Sequence, residues 1–273
     1  MSDTVSRDDH DGTLDDALAA LASVPRLLVA LDFDGTLAPE VDDPEKARAL
    51  PEAHAAVLRL LALPETRVAL ISGRALASLE RVAGLPDTAL LIGSHGIEIR
   101  LDSPDIQVAL DDAERDRVGV LKTVLDGVAG ALDEVWLEEK PAGFALHTRL
   151  ATERDSRVAH LVALSETQAE IEGLKVRAGK NVLEFAVRST TKGEAVEHLR
   201  RYTDADAVMF AGDDVTDEDA FAALGAGDLS LKSGAGETVA RHRVPGPLEV
   251  AAALDRLAVL RAERTAGSGN TGR

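Results

Sequence analysis

The chain contains no cysteine among its 273 residues, which excludes disulfide bonds, thiolate nucleophiles and cysteine-based zinc sites. A chain without cysteine fits a reducing compartment. Residues 1–16 are acidic and lack the basic and apolar regions of a signal peptide. No apolar run approaches the ~20 residues that a membrane-spanning helix needs. We therefore expect a cytoplasmic protein with no membrane partner.

Aromatic residues are also scarce, at 3% of the chain, although 45% of all residues are hydrophobic. We expect a sizeable core packed mainly by Ala, Leu and Val. Basic residues are few beside acidic ones, 30 against 48, and the net charge is -18. Nucleic acids and anionic membranes bind clustered Lys and Arg, so neither is an expected partner. A phosphate group would need a local site with its own cation and donors.

Four short apolar runs, each ending near Gly, Ser or Asp, are typical of strands buried on both faces of a sheet. They lie at 27–31, 68–71, 90–92 and 208–211. Helical patterns at 45–62, 75–83 and 192–201 add the βα alternation of a parallel sheet. Ligands bind beyond the carboxyl ends of such strands. Four candidate residues fall at these ends: Asp32, Asp34, Ser72 and Asp213.

The middle of the chain has another rhythm, with two helical patterns at 113–132 and 157–171. Each is followed by a pair of strand-like runs, around Pro141-Ala-Gly143 and Ala178-Gly-Lys-Asn181. This αββαββ order predicts an inserted domain of antiparallel sheet and helices. We expect a discontinuous core at 24–110 and 188–264, the inserted domain at 111–187, and flexible ends at 1–23 and 265–273. The first end has room for a short helix at 14–21.

Two aspartates follow the first predicted strand, in the segment Leu31-Asp-Phe-Asp-Gly-Thr36. Residues i and i+2 of an extended chain share a face, so Asp32 and Asp34 can reach one reaction centre. One carboxylate can attack phosphorus while the other transfers the proton. Asp and Gly also form turns, so the segment is compatible with a plain turn as well. Its place at the end of a buried strand favours the catalytic hypothesis.

A second acidic segment, residues 212–219, follows the fourth predicted strand. Mg²⁺ prefers oxygen ligands and takes one or two carboxylates while keeping several waters. Asp213 fits this role best, and Asp214 and Asp217 are further candidates. Residues 217–219 are also compatible with the start of a helix, where negative charge interacts favourably with the helix dipole.

Acidic clusters repel phosphate, so the hypothesis requires compensating donors. Ser72 lies where a strand turns into a helix, a place where hydroxyl and free N–H groups bind phosphate oxygens. A simple N-cap is the alternative role for this serine. Lys192 lies in a Thr-x-x-Glu segment that predicts a capping box, and a surface lysine is the ordinary interpretation. A cation at a helix start opposes the dipole, which indicates another role for it.

Taken in this order, these segments resemble the motifs of the haloacid dehalogenase superfamily and, within it, the trehalose-6-phosphate phosphatases. The similarity extends from about residue 26 to residue 260, and its most specific piece is Gly-Asp-Asp-x-Thr-Asp-Glu-Asp-Ala-Phe at 212–221. The other matching segments are 31–39, 71–74, 93–98, 138–140 with 147–149, and 179–180 with 184.

The resemblance implies an α/β fold, with a Rossmann-like haloacid dehalogenase core and a smaller inserted α+β cap domain. It implies hydrolysis of trehalose 6-phosphate through an aspartyl-phosphate, with Asp32 as nucleophile and Asp34 as acid and then base. Ser72 and Lys192 would hold the phosphate. Mg²⁺ would be bound by Asp32, the Asp34 carbonyl and Asp213. Supporting positions would be Gly35, Thr36 and Asp217.

Substrate-binding positions follow from the same resemblance: Arg74, His95, Glu138, Lys140, His147, Arg149, Lys180 and Glu184. Period-2 alternation places the cap members of this set on one face of the cap sheet and apolar neighbours on the other. These cap members are Glu138, Lys140, His147, Arg149, Lys180 and Glu184. Such a face suits hydrogen bonds to sugar hydroxyls, although an ordinary solvated face has the same pattern. Three positions depart from the family pattern without removing a chemical group from the site: Glu40, Thr148 and Ser189.

Three functions remain open on the sequence alone. They are a trehalose-6-phosphate phosphatase, another sugar-phosphate phosphatase of the superfamily, and a sugar-phosphate sensor without turnover. The paired aspartates and the complete cap argue against the sensor. We expect a small sugar phosphate as the partner of a monomeric chain, and the sequence indicates no particular protein partner.

Overall fold

The computed structural model describes residues 13–179 and 181–268. Lys180 and parts of both ends, residues 1–12 and 269–273, lie outside this description. The chain divides into two compact units. The first contains the described residues up to Gly96, Arg100–Asp105 and those from Thr191 onward, and the second contains Ile97–Ile99 and Ile106–Thr190.

The described residues form the following strands and α-helices. The strands are β1 Leu27–Leu31, β2 Thr66–Ile71, β3 Leu90–Gly93, β4 Glu98–Arg100, β5 Gln107–Val108, β6 Trp136–Lys140, β7 Gly143–His147, β8 Lys175–Gly179, β9 Val182–Ala186, β10 Ala207–Gly212, β11 Leu229–Ser233 and β12 His242–Val244. The helices are α1 Leu14–Leu21, α2 Pro51–Leu61, α3 Leu76–Ala83, α4 Asp112–Gly130, α5 Glu153–Glu170, α6 Lys192–Thr203, α7 Glu218–Ala222 and α8 Pro247–Ser268.

The sheet of the first unit is parallel and has the order β12-β11-β10-β1-β2-β3. All residues of β1 and β10 are buried, because helices cover the sheet on both faces. Val29 and Leu31 pack in one cluster with residues of α1, α2 and α8. Leu28 and Ala30 pack in another with α6 and α7. The carboxyl ends of the strands at the centre of this sheet carry the predicted site residues.

The four predicted strands of the first unit are confirmed, and β1 has its predicted bounds. The helix predicted at 45–62 was wrong at its start, because α2 begins only at Pro51 and residues Pro44–Lys46 form a separate 3-10 turn. Proline disfavours the helical conformation for the residue before it, but it is well suited to the first turn of a helix. Strands β11 and β12 were not predicted from the sequence.

The second unit has the predicted αββαββ order, formed by α4, β6, β7, α5, β8 and β9. Its four strands form an antiparallel sheet in the order β6-β7-β9-β8. Leu121 and Leu125 of α4 pack with Ala159 of α5 and with Phe144 and Leu183 of the sheet. The alternation predicted from the sequence is therefore confirmed on the apolar face.

Helix α1 falls inside the segment that we expected to be flexible. Thr13 and Asp16 form a capping box at its start, and Leu18 and Leu21 are buried. Along residues 13–179 and 181–268, no helix is both long enough and apolar enough to cross a membrane.

Candidate active site

Asp32 directly follows β1 and is nearly buried, with 5% of its surface exposed. Its N–H donates to the Ala211 carbonyl of β10 at 2.9 Å. Lys192 Nζ lies 2.9 Å from Asp32 Oδ1 and 2.7 Å from Asp217 Oδ1, so one ammonium group bridges two carboxylates. Lys192 is only 3% exposed, which makes the surface-lysine interpretation wrong. Thr191 caps α6 by accepting the Glu194 N–H at 3.2 Å, and this cap presents Lys192 in the first turn.

Three aspartates form an acidic cluster: Asp32, Asp213 and Asp217. Their carboxylate oxygens lie within 4.8 Å of one another. Gly35 makes this approach possible, because a Cβ at its position would lie 1.9 Å from Asp213 Oδ2. Carboxylate oxygens are the ligands that hard divalent cations prefer. The donor set therefore fits a divalent cation.

The electrostatics of the cluster point the same way. Burial raises the pKa of Asp32 to about 8; the ammonium of Lys192 opposes this shift, and the charge of Asp217 adds to it. Burial and the charge of Asp217 also raise the pKa of Asp213 to about 6. Although burial works against it, the two carboxylates raise the pKa of Lys192. The cluster therefore has a deficit of positive charge that a divalent cation would remove.

The loop after β10 brings Asp217 into the cluster and leaves Asp214 outside it. Asp217 Oδ2 accepts the N–H groups of Asp213 and Asp214, both at 2.9 Å. Asp214 is exposed, and its Oδ1 accepts the Val215 N–H at 2.7 Å at the start of a 3-10 turn. Asp214 as a metal ligand stays a prediction, whereas Asp217 is more central than the supporting position expected for it.

Asp34 is held by Arg74 in a two-pronged ion pair. Arg74 Nε lies 2.6 Å from Asp34 Oδ2, and Arg74 Nη2 lies 2.6 Å from Asp34 Oδ1. The same guanidinium donates to the Pro44 carbonyl at 2.8 Å. Substrate binding by Arg74 stays a prediction, whereas its contact with both Asp34 oxygens orients the second aspartate.

Ser72 and His95 complete this part of the site. Ser72 Oγ accepts the Arg74 N–H at 3.2 Å, and the Ser72 carbonyl accepts the His95 N–H at 3.0 Å. The structure brings these groups together in one cavity of about 460 Å³. Its lining includes Asp32, Asp34, Glu40, Ser72, Arg74, His95, Lys192, Asp213 and Asp214. Thr36, which directly follows Gly35, is fully buried.

The polar face of the second unit's sheet carries most of the other predicted residues. Glu138 accepts from Lys140 Nζ at 2.5 Å, and its other oxygen lies 2.8 Å from His147 Nε2. These two partners, Lys140 first, lower the pKa of Glu138. Strand register places Glu184 in the same cross-strand row as Glu138. Lys180 lies outside the described residues, so its role stays a prediction.

Trp136 is a member of this polar face that the sequence analysis missed. It is the only tryptophan of the chain. Its ring stacks on His147, with 5.1 Å between ring centroids and 10° between planes, and the Arg149 guanidinium lies 5.3 Å from the tryptophan ring centroid. Its position two residues before Glu138 was a usable signal, since i and i+2 share a face. Thr148 is buried, and its Oγ1 lies 2.7 Å from Ser156 Oγ.

The comparison with known families decides where this chain belongs, because the trehalose-phosphatase profile matches residues 30–249. The chain belongs to the trehalose-phosphatase family. The trehalose-phosphate phosphatase of Mycobacterium marinum is 35% identical over 270 residues, which cover 92% of this chain and 67% of the relative. That of Mycobacterium avium is 37% identical over 210 residues, which cover 74% of this chain and 52% of the relative.

Solved structures of the family have the same fold. One crystal form of the Aspergillus fumigatus trehalose-6-phosphate phosphatase aligns with a TM-score of 0.66 and 27% identity, over 91% of this chain and 98% of that one. A haloacid dehalogenase-like hydrolase from Bacteroides thetaiotaomicron aligns with a TM-score of 0.57 and 17% identity, over 85% and 99%, which shows the fold alone. The predicted family resemblance and α/β fold class are confirmed.

Proposed function

We propose that this chain is a Mg²⁺-dependent phosphatase that hydrolyses trehalose 6-phosphate to trehalose and phosphate. Membership of the trehalose-phosphatase family supports the reaction. The single structural observation that carries it is the cavity in which Asp32 contacts the Lys192 ammonium and lies within 4.8 Å of Asp213. The relatives are named trehalose-phosphate phosphatases, which are phosphoric monoester hydrolases. The corresponding substrate is a small sugar phosphate.

In the proposed reaction, Asp32 attacks the phosphorus atom and displaces the sugar oxygen, so that an aspartyl-phosphate forms on its carboxylate. Asp34 gives a proton to the departing sugar oxygen and then accepts one from the water that cleaves the acyl phosphate. Asp34 lines the same cavity as Asp32, and Arg74 holds its carboxylate there. Lys192 and Ser72 line the same cavity and would hold phosphate oxygens.

The acidic cluster supports a bound divalent cation, which we take to be Mg²⁺. Asp32 and Asp213 would hold it together with the Asp34 carbonyl, and Asp214 is a further candidate. When bound, the cation neutralises charge on the transferring phosphoryl group. Phosphoryl transfer makes few covalent demands on a protein, so most of the catalysis comes from positioning and charge.

We assign sugar recognition to the polar face of the second unit, with Glu138, Lys140, His147, Arg149 and Glu184 as its groups. The short bonds among Glu138, Lys140 and His147 support this assignment because they pre-orient acceptors and donors. Lys180 belongs to the same proposal, and His95 and Arg74 would contact substrate in the first unit. The chain's lack of cysteine is compatible with work in the cytoplasm.

The test is phosphate release from a panel of trehalose 6-phosphate, sucrose 6-phosphate and glucose 6-phosphate, each with Mg²⁺ and with a chelator. We expect release that requires Mg²⁺ and prefers trehalose 6-phosphate. Asp32→Asn, which keeps the shape of the side chain, should release none. Equal rates on all three substrates would favour a general sugar-phosphate phosphatase. Binding without release in any arm would favour the sensor.

A further inference from the structure

Lys232 of β11 is a second buried lysine beside the acidic cluster, with 3% of its surface exposed. Its Nζ donates to the Asp213 carbonyl at 2.5 Å and lies 3.4 Å from the Asp214 carbonyl. Glu218 Oε1 lies 3.6 Å away. A buried ammonium group is costly unless donors are satisfied and charge is compensated. The loop after β10 supplies carbonyl acceptors for Lys232, and Glu218 at the start of α7 supplies the opposite charge.

The same loop is held from its other side by Asp217. Asp217 Oδ2 accepts the N–H groups of Asp213 and Asp214, and Lys232 Nζ contacts the carbonyls of the same two residues. The peptide groups before and after the Asp213 Cα are therefore both anchored. Because the backbone dihedrals at a residue set the direction of its Cα–Cβ bond, these anchors orient the Asp213 side chain towards Gly35.

Strand β11 also anchors the other carboxylate loop. Ser233, which follows Lys232, donates its Oγ hydrogen to the Gly35 carbonyl at 2.7 Å. Gly35 is the residue whose missing side chain leaves room for the Asp213 carboxylate. Two adjacent residues of β11 thus hold the two carboxylate loops: Ser233 contacts the loop after β1, and Lys232 contacts the loop after β10. Neither residue lines the cavity.

We propose that Lys232 is a positioning residue that holds Asp213 in place for a divalent cation and so raises the affinity of the site for that cation. The inference rests on the metal site in the proposed function. Positioning and charge act in opposite directions here. A positive charge near a cation site repels the cation, so loss of the Lys232 charge alone would tighten binding. Loss of a residue that orients a ligand typically weakens metal binding by about 10–100-fold.

The test compares two substitutions of similar size in the substrate-free protein. Lys232→Met removes the charge and the donors, and Lys232→Gln removes the charge but keeps an amide donor. Mg²⁺ binding is measured by calorimetry and Mn²⁺ binding by paramagnetic resonance. We expect Lys232→Met to lower the affinity about 10–100-fold, and Lys232→Gln to recover part of the loss. The control is Lys122→Met, which changes an exposed lysine of α4 paired with Asp126 and should bind like wild type.

Unchanged or tighter cation binding by folded Lys232→Met would overturn the proposal, as would Lys232→Gln behaving like Lys232→Met. Circular dichroism and thermal unfolding show whether each variant is folded. If Lys232→Met does not fold, Ser233→Ala takes its place. It removes one hydroxyl, should weaken cation binding in the same direction, and counts against anchoring by β11 if the affinity is unchanged. A wild-type chain that binds no cation would instead refute the metal site of the proposed function.

Discussion

Gly35→Ala tests the geometry of the acidic cluster at a single carbon atom. Gly35 has a φ of +72°, and a Cβ there would lie 1.9 Å from Asp213 Oδ2 and 2.2 Å from Asp213 Cγ. Cβ atoms essentially never approach another heavy atom within 3.0 Å. The Gly35 backbone cannot shift far, because its surroundings are close-packed and its carbonyl accepts a hydrogen bond from Ser233. The Asp213 carboxylate therefore has to move by about 1 Å.

Two costs follow from this substitution. A left-handed backbone costs a residue with a Cβ about 1–2 kcal/mol. A misplacement of about 1 Å at a reacting centre lowers the rate about 100-fold. We therefore expect Gly35→Ala to lower the free energy of unfolding by at least about 1–2 kcal/mol, to lower kcat/KM for trehalose 6-phosphate about 100-fold, and to weaken Mg²⁺ binding.

Gly84→Ala is the matched control, because Gly84 has a φ of +57° and nothing lies within 4 Å of its added Cβ. It should lose about 1–2 kcal/mol of stability and keep the wild-type kcat/KM and Mg²⁺ affinity. The assays are urea unfolding, phosphate release and Mg²⁺ titration of both variants. Wild-type kcat/KM and Mg²⁺ affinity in folded Gly35→Ala would refute the placement of Asp213 in the metal site.

Three further outcomes are expected. Because burial raises the pKa of Asp213 to about 6, a proton competes with the cation for this carboxylate below that pH. Mg²⁺ should therefore raise the unfolding temperature more at pH 7.5 than at pH 5, and equal increases at the two pH values contradict this. Lys192→Met leaves the Asp32 and Asp217 carboxylates buried without the Lys192 ammonium and should lower the free energy of unfolding in urea by about 3–5 kcal/mol. Adding Asp32→Asn should restore part of this loss, and a loss below about 1 kcal/mol contradicts the buried ion pairs. Trp136→Leu removes the stack on His147 and should raise KM for trehalose 6-phosphate about 10-fold with kcat little changed, while Trp136→Phe keeps most of the affinity. An equal loss on p-nitrophenyl phosphate would show that Trp136 acts on the fold rather than on the sugar.

Local sequence patterns were sufficient to predict the strands whose hydrophobic pattern is the same along their whole length. Strands β1 and β10 are buried on both faces and therefore carry unbroken apolar runs. The period of 2 in β7 and β9 identified the buried face that contains Phe144 and Leu183. Strand β11 was missed although all five of its residues are buried, because Ser230 and Lys232 make it look half exposed. Ser230 Oγ accepts the Arg241 N–H, a partner that no local pattern shows.

The sequence by itself determined which chemical groups stand at the ends of the central strands, because strand ends and residue faces depend on neighbours along the chain. Only the tertiary structure decided which of these groups share charge and hydrogen bonds. In the folded chain, Lys192 is buried between Asp32 and Asp217, and the Asp214 side chain accepts the Val215 N–H instead of joining the acidic cluster. Ser233 contacts Gly35, which lies 198 positions earlier in the sequence. Burial and charge compensation are set by residues that meet only after folding, and a one-dimensional pattern carries no distance between them.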